Sequence, residues 1–294
     1  MWGWSKIRVR NVIAMLQERV WEMKTAKRAI LVLGMHRSGT SALARTVNLL
    51  GAAAPQTLMD ASADNERGYW ESEPLVHLSD EAMAACGRSW RSTGAIRMSA
   101  MAGVSDLRRR LRGAIASEFG DASTIMLKDP RVTRLMPLYR EVLSEAGYEI
   151  LPVIALRNPV EVVKSLGRRD GMQARHALGL WLRYTLDAER ETRGMPRAVV
   201  VYEDLLSDWR KVTDVMKRQL GGYWPEPTRE VAAEVDAFLS SDLRHYAHAL
   251  PSGLFGRAAL AGQLYREMAK LVTNPAAILP RSLILRANIE LMMR

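Results

Sequence analysis

The stretch richest in chemistry is Gly34-Met35-His36-Arg37-Ser38-Gly39-Thr40-Ser41. It follows a short apolar run at 29–33 and precedes Leu43, Val47 and Leu50, spaced as one face of a helix that stops at Gly51. A strand that feeds a tight turn and then a helix start leaves backbone N–H groups pointing inward. The helix N-terminus adds partial positive charge. Such a turn cradles phosphate or sulfate. Gly34 and Gly39 admit backbone angles and close approach that a side chain would block. The spacing matches a nucleotide-binding P-loop, whose pattern places Lys and then Ser or Thr after the second glycine. Here Thr40 stands in the lysine position, Ser41 follows, and the cation comes earlier, at Arg37. Without that lysine the loop suits one compact anion better than a triphosphate managed with Mg²⁺.

A second anion site is legible at Leu156-Arg157-Asn158-Pro159-Val160-Glu161 and, further on, Ser165. Asn158 is a good N-cap, Pro159 suits the first helical position, and Glu161 completes a capping-box-like pattern. Arg157 therefore sits where a strand stops and a helix starts, on the sheet edge where ligands of open α/β sheets bind. Ser165 lies two helical turns along, with its hydroxyl available to the same anion.

The elements that must hold these groups alternate. Strand-like runs recur at 29–33, 124–127, 150–156 and 198–201, and helical patterns at 72–87, 104–119, 132–146, 159–169 and 174–193 separate them. Alternation of this kind predicts a parallel sheet covered on both faces by helices. Residues 52–70 read as a loop. After 208 the pattern is helical, divided by Pro225, Pro227, Pro251, Pro275 and Pro280. Residues 1–28 read as an amphipathic helical extension with Val9, Val12, Ile13, Leu16, Val20 and Met23 on one face, basic residues around them, and Trp2, Trp4 and Trp21. That helix either lies on an anionic membrane or packs on the core or a second subunit, as in a homodimer. The domain plan is an extension at 1–28, an α/β core at 29–221 and a helical region at 222–294 of the same domain.

The chain has 294 residues, a net charge of +10 and a single cysteine, Cys86. Its length supports one large α/β domain. The charge favours anionic partners without choosing among them. One cysteine forms no internal disulfide, in keeping with a reducing compartment. No run approaches the ~20 apolar residues of a membrane span. The N-terminus lacks the continuous apolar stretch and small-residue cleavage site of a signal peptide. The expected location is cytoplasmic, extending to the inner face of the membrane if the basic ends bind lipid. Aromatic residues make up 6%, and no nucleic-acid motif is present, so nucleic acid is not an expected partner. No cluster of His, Cys, Asp and Glu has metal-ligand spacing.

With both anion segments in place, the chain resembles the sulfotransferases that use 3′-phosphoadenosine-5′-phosphosulfate (PAPS). Three further stretches look like bacterial members: Asn65-Glu66-Arg67-Gly68-Tyr69-Trp70-Glu71, Lys128-Asp129-Pro130-Arg131 and Tyr202-Glu203-Asp204-Leu205-Leu206. The resemblance runs in order from about Ala29 to Gly221 and implies a P-loop-like α/β fold. It implies that Arg37, Ser38, Gly39, Thr40 and Ser41 hold the 5′-phosphosulfate, and that Arg157 and Ser165 hold the 3′-phosphate. His36 stands where many members carry proline, and Arg37 replaces the lysine of the cytosolic enzymes. That group's C-terminal basic motif on the adenine side has no counterpart in 222–294.

The implied chemistry is in-line transfer of a sulfuryl group to a hydroxyl or amine, driven by positioning and charge stabilisation, with no metal required. Lys128 or Arg131 adds a cation. Glu71 is the first candidate for the general base and Glu66 the second, and His36 is ranked as a binding residue. The expected acceptor is a glycan, a glycolipid or another small hydroxyl compound. Two rivals remain at this level: a P-loop kinase, against which the missing lysine argues, and a basic protein that binds membrane or nucleic acid without catalysis.

Overall fold

The computed structural model describes residues 26–62, 65–101, 103–221, 226–239, 249–250 and 256–293. The N-terminal amphipathic pattern up to residue 25 lies outside the described residues. Four parallel strands form the sheet: β1 (Lys27–Leu33), β2 (Thr124–Lys128), β3 (Tyr148–Leu156) and β4 (Ala198–Val201), in the order β2-β1-β3-β4. β1 begins two residues before the apolar run, because Lys27 and Arg28 still pair with Tyr148 and Glu149 of β3. The β1 run is uniformly apolar because both faces are covered. Ala29, Leu31 and Leu33 enter one core, and Ile30 and Val32 enter the other.

The helices in chain order are α1 (Thr40–Leu49), α2 (Glu73–Ala85), α3 (Val104–Phe119), α4 (Val132–Glu145), α5 (Pro159–Asp170), α6 (Ala174–Thr192), α7 (Tyr202–Ser207), α8 (Trp209–Gln219), α9 (Arg229–Phe238), α10 (Gly256–Lys270) and α11 (Arg281–Met292). α1, α7 and α8 contribute Leu43, Leu205 and Met216 to the core on one face of the sheet. On the other face α2, α3, α4 and α6 pack with Leu75, Leu111, Tyr139 and Trp181. α10 and α11 join this second core through Leu264, Met268, Leu283 and Ala287. The arginines of α3 stay at the surface and bridge to neighbouring helices: Arg110 reaches Glu81 and Arg112 reaches Glu145.

The order of the strands places the site. From β1 the chain moves to β2 on one side, then crosses to β3 on the other. The helices leaving β1 and β3 therefore diverge, and a crevice opens beyond the C-terminal ends of those two strands. The Gly34 loop with Arg37 follows β1, Asp129 follows β2, Arg157 follows β3 and Tyr202 follows β4. Every strand delivers a polar or aromatic group to the same rim.

Candidate active site

The crevice is a cleft of about 550 Å³, bordered by the Gly34 loop, the 65–71 segment, Lys128, Arg157 and Tyr202. Its floor is the loop. Gly34 has φ 139°, and a Cβ there would sit 2.7 Å from the Ala155 carbonyl oxygen. Thr133 Oγ1 accepts the Gly34 N–H at 2.9 Å and so ties the loop to α4. Gly39, the N-cap of α1, has φ 83°, and a Cβ would lie 2.1 Å from the Tyr202 ring. Both glycines are thus required by backbone angle and by space. Arg37 also lies in the left-handed region, with φ 68°, an uncommon conformation for a residue with a side chain.

At one end of the cleft three predicted residues meet. Arg37 Nε donates to Ser165 Oγ at 2.7 Å. Arg157 donates to the Arg37 carbonyl at 3.2 Å and from Nε to Glu161 Oε2 at 3.1 Å. Its guanidinium lies 4.4 Å from the centre of the Tyr202 ring. The indole of Trp181 donates to the Arg157 carbonyl at 3.1 Å and fixes the strand end. Arg37 therefore reaches toward the Arg157 cluster, across what the sequence reads as two separate subsites. Asn158 Oδ1 caps α5 by accepting from Val160 N at 3.0 Å, and the Glu161 carboxylate holds Arg157.

At the other end lies a network with no local signature in the sequence. Lys128 and Glu71 are 3% and 5% exposed and form an ion pair through Nζ and Oε1. The same ammonium donates to the Tyr69 carbonyl at 2.9 Å and to Ser41 Oγ at 3.3 Å. A lysine from β2 thus arrives beside the loop that lacks one in its own sequence. Arg131 is held by Asp80 at 2.6 Å and Asp129 at 3.0 Å, with Glu71 Oε2 at 3.7 Å. Burial raises the Glu71 carboxyl above the usual carboxylate range, against the opposing pull of Lys128.

The 65–71 segment straps this end. Asn65 Nδ2 donates to the Gly68 carbonyl at 2.8 Å and to Ser41 Oγ at 3.3 Å. Trp70 has φ 59°, which costs about 1–2 kcal/mol for a bulky residue. Its indole donates to the Arg67 carbonyl at 3.0 Å, and Arg45 stacks on the ring at 4.5 Å. That turn points Glu71 inward. Glu66 is exposed on the cleft wall. His36 packs 4.5 Å from the Trp90 ring, and its Nε2 is buried without a hydrogen-bond partner. Burial, then Arg131, Arg169, Lys128 and Arg37, hold its pKa well below 6.5, so the imidazole is neutral. Ser38 and Thr40 are buried in the loop.

The loop, strand ends and helix starts define a P-loop-like α/β fold whose cleft gathers cations and backbone donors. No protein-family model matches the chain, and no curated protein matches it in sequence. Some solved structures are similar to it in fold. It is similar to the sulfotransferase domain of the olefin synthase of Synechococcus PCC 7002, with TM-score 0.43 and 18% identity over 87% of this chain and 97% of that one. The sulfotransferase STF1 of Mycobacterium tuberculosis H37Rv gives TM-score 0.41 and 17% identity over 74% and 73%. The sulfotransferase domain of the curacin biosynthetic pathway gives TM-score 0.43 and 14% identity over 86% and 99%.

Proposed function

We propose that this cleft binds PAPS and transfers its sulfuryl group to a hydroxyl acceptor, a glycan or glycolipid. The observation that carries the reading is the meeting of Arg37, Arg157 and Ser165 at one end of an anion loop whose other end holds Lys128. A nucleotide with phosphate on both its 3′ and 5′ sides needs two anion sites, and the presence of a cationic cluster at each end of the cleft supports this reading. Arg157 and Ser165 bind the 3′-phosphate, with Arg37 spanning toward the 5′ side. The loop N–H groups, Ser38, Gly39, Thr40 and Ser41 bind the 5′-phosphosulfate.

In the reaction the acceptor oxygen bonds to sulfur as the bond from sulfur to the 5′-phosphate oxygen breaks. Negative charge grows on the leaving phosphate, where Lys128 and the loop amides stabilise it. Glu71 takes the acceptor proton. A carboxylate with a raised pKa is the better base near neutral pH. Glu66 stands at the wall as the second candidate. His36, neutral and beside Arg37, donates a hydrogen bond to the sulfuryl oxygens.

The experiment is a transfer assay with sulfur-labelled PAPS against a panel of glycan, glycolipid and phenolic acceptors. Labelled product and release of 3′,5′-ADP (PAP) are expected with hydroxyl acceptors of the first two kinds. Transfer from γ-labelled ATP with Mg²⁺, and none from PAPS, would replace this reading with a kinase.

A further inference from the structure

Of the large apolar side chains exposed among the described residues, five fall in one short stretch: Ile278, Leu285, Ile289, Met292 and Met293. Leu58 is the sixth. Single exposed apolar residues are ordinary on any protein. Five together on one terminal helix and its flanks form a patch. Leu285, Ile289 and Met292 follow one another at four- and three-residue spacing, so they make a single outward stripe on α11. Leu285 is 61% exposed and Met292 is 80% exposed. The opposite side of the helix is already committed to the core through Leu283 and Ala287.

We propose that this outer face of α11 docks on an anionic lipid bilayer. Charge selects that occupant. Arg281 and Arg286 are exposed on the same helix. Its one carboxylate, Glu290, is taken by Arg257 at 3.2 Å. An apolar stripe edged by arginines is the pattern of a helix lying in the headgroup plane. A second copy fits poorly. Pairing stripe to stripe would bring two arginine-edged helices together, in chains each carrying +10.

The test is sedimentation of the full chain with vesicles of phosphatidylcholine, with and without phosphatidylglycerol. Binding is expected only with phosphatidylglycerol, weakening as salt rises. The variant Leu285→Ser/Ile289→Ser/Met292→Ser should lose about tenfold or more in vesicle affinity. Arg281→Ser and Arg286→Ser should each lose about fivefold, the factor that ~1 kcal/mol per cation represents. Thermal stabilisation by PAP, read on the same samples, should not change in any of them. The docking is overturned if the wild-type chain ignores anionic vesicles. It is also overturned if the triple variant binds undiminished, which would move the contact to residues 1–28, or if that variant instead abolishes a concentration-dependent dimer. A wild-type chain that binds vesicles and ignores PAP would sink the donor reading and leave the docking intact.

Discussion

The two ends of the cleft handle positive charge differently. At the Arg157 end the arginines meet neutral acceptors, Ser165 Oγ and the Arg37 carbonyl, along with the Glu161 carboxylate and the face of Tyr202. At the Lys128 end each cation has a carboxylate within ion-pair distance: Glu71 for Lys128, and Asp80 and Asp129 for Arg131. The first arrangement suits an anion that keeps its charge throughout the reaction. The second suits a place where charge grows and a proton moves, because the cation must be held without a ligand and then share its field with a new oxyanion. On the proposed function, the difference separates holding the donor from reacting with it.

The largest effect should come from unbalancing the second end. Lys128→Met leaves Glu71 buried without its cation and should cost about 3–5 kcal/mol of stability in chemical denaturation. Adding Glu71→Gln should restore most of that loss, since no uncompensated charge then remains. Glu71→Gln alone should lower turnover by about 10²–10⁴-fold and leave PAP affinity within a few fold. Full turnover in that variant would move the base to Glu66 or His36.

Breaking the first end should show the opposite split. Arg157→Ala should weaken PAP by about tenfold to a hundredfold, the range of one charge-assisted hydrogen bond, and weaken 5′-AMP much less. Equal loss for both nucleotides would mean that Arg157 does not read the 3′-phosphate. Gly39→Ala should destabilise by about 1–3 kcal/mol, because its Cβ runs into the Tyr202 ring at 2.1 Å and its φ is 83°.

The smallest effect is on pH dependence. The folded chain holds the Glu71 proton more tightly than the unfolded chain does. Its contribution to stability is therefore present below the unfolded pKa and lost as pH rises through the raised folded value. Activity that needs the carboxylate moves the other way, falling as pH drops through that raised value. Glu71→Gln should flatten this part of the stability profile, measured as midpoint against pH.

Legibility in the sequence followed how local each feature is. The loop, α1 and the break at Arg157-Asn158-Pro159 are written in consecutive residues, so their turn chemistry and caps were readable. The sheet was readable because buried parallel strands are short apolar runs. The partnership of Glu71 with Lys128 spans 57 residues and has no spacing rule. The end of β2 and the turn at Trp70 bring them together. Likewise Glu161 reads as a capping residue, and its ion pair with Arg157 shows only once β3 and α5 are placed. Tyr202 enters the sequence reading only as part of a family-like stretch, and its ring is the wall that forbids a side chain at position 39. Trp90 sits in an irregular loop without periodicity and gave no signal at all.

The central claim is that the cleft reads a nucleotide with phosphate on both the 3′ and 5′ sides. The most direct measurement is the thermal midpoint of the full chain with PAP, with 5′-AMP and with ATP plus Mg²⁺. A ligand bound by the folded state alone raises the midpoint by mass action. The account predicts a concentration-dependent rise with PAP, unaffected by chelator, and little or none with 5′-AMP. A rise only with ATP and Mg²⁺, or an equal rise with PAP and 5′-AMP, would contradict it.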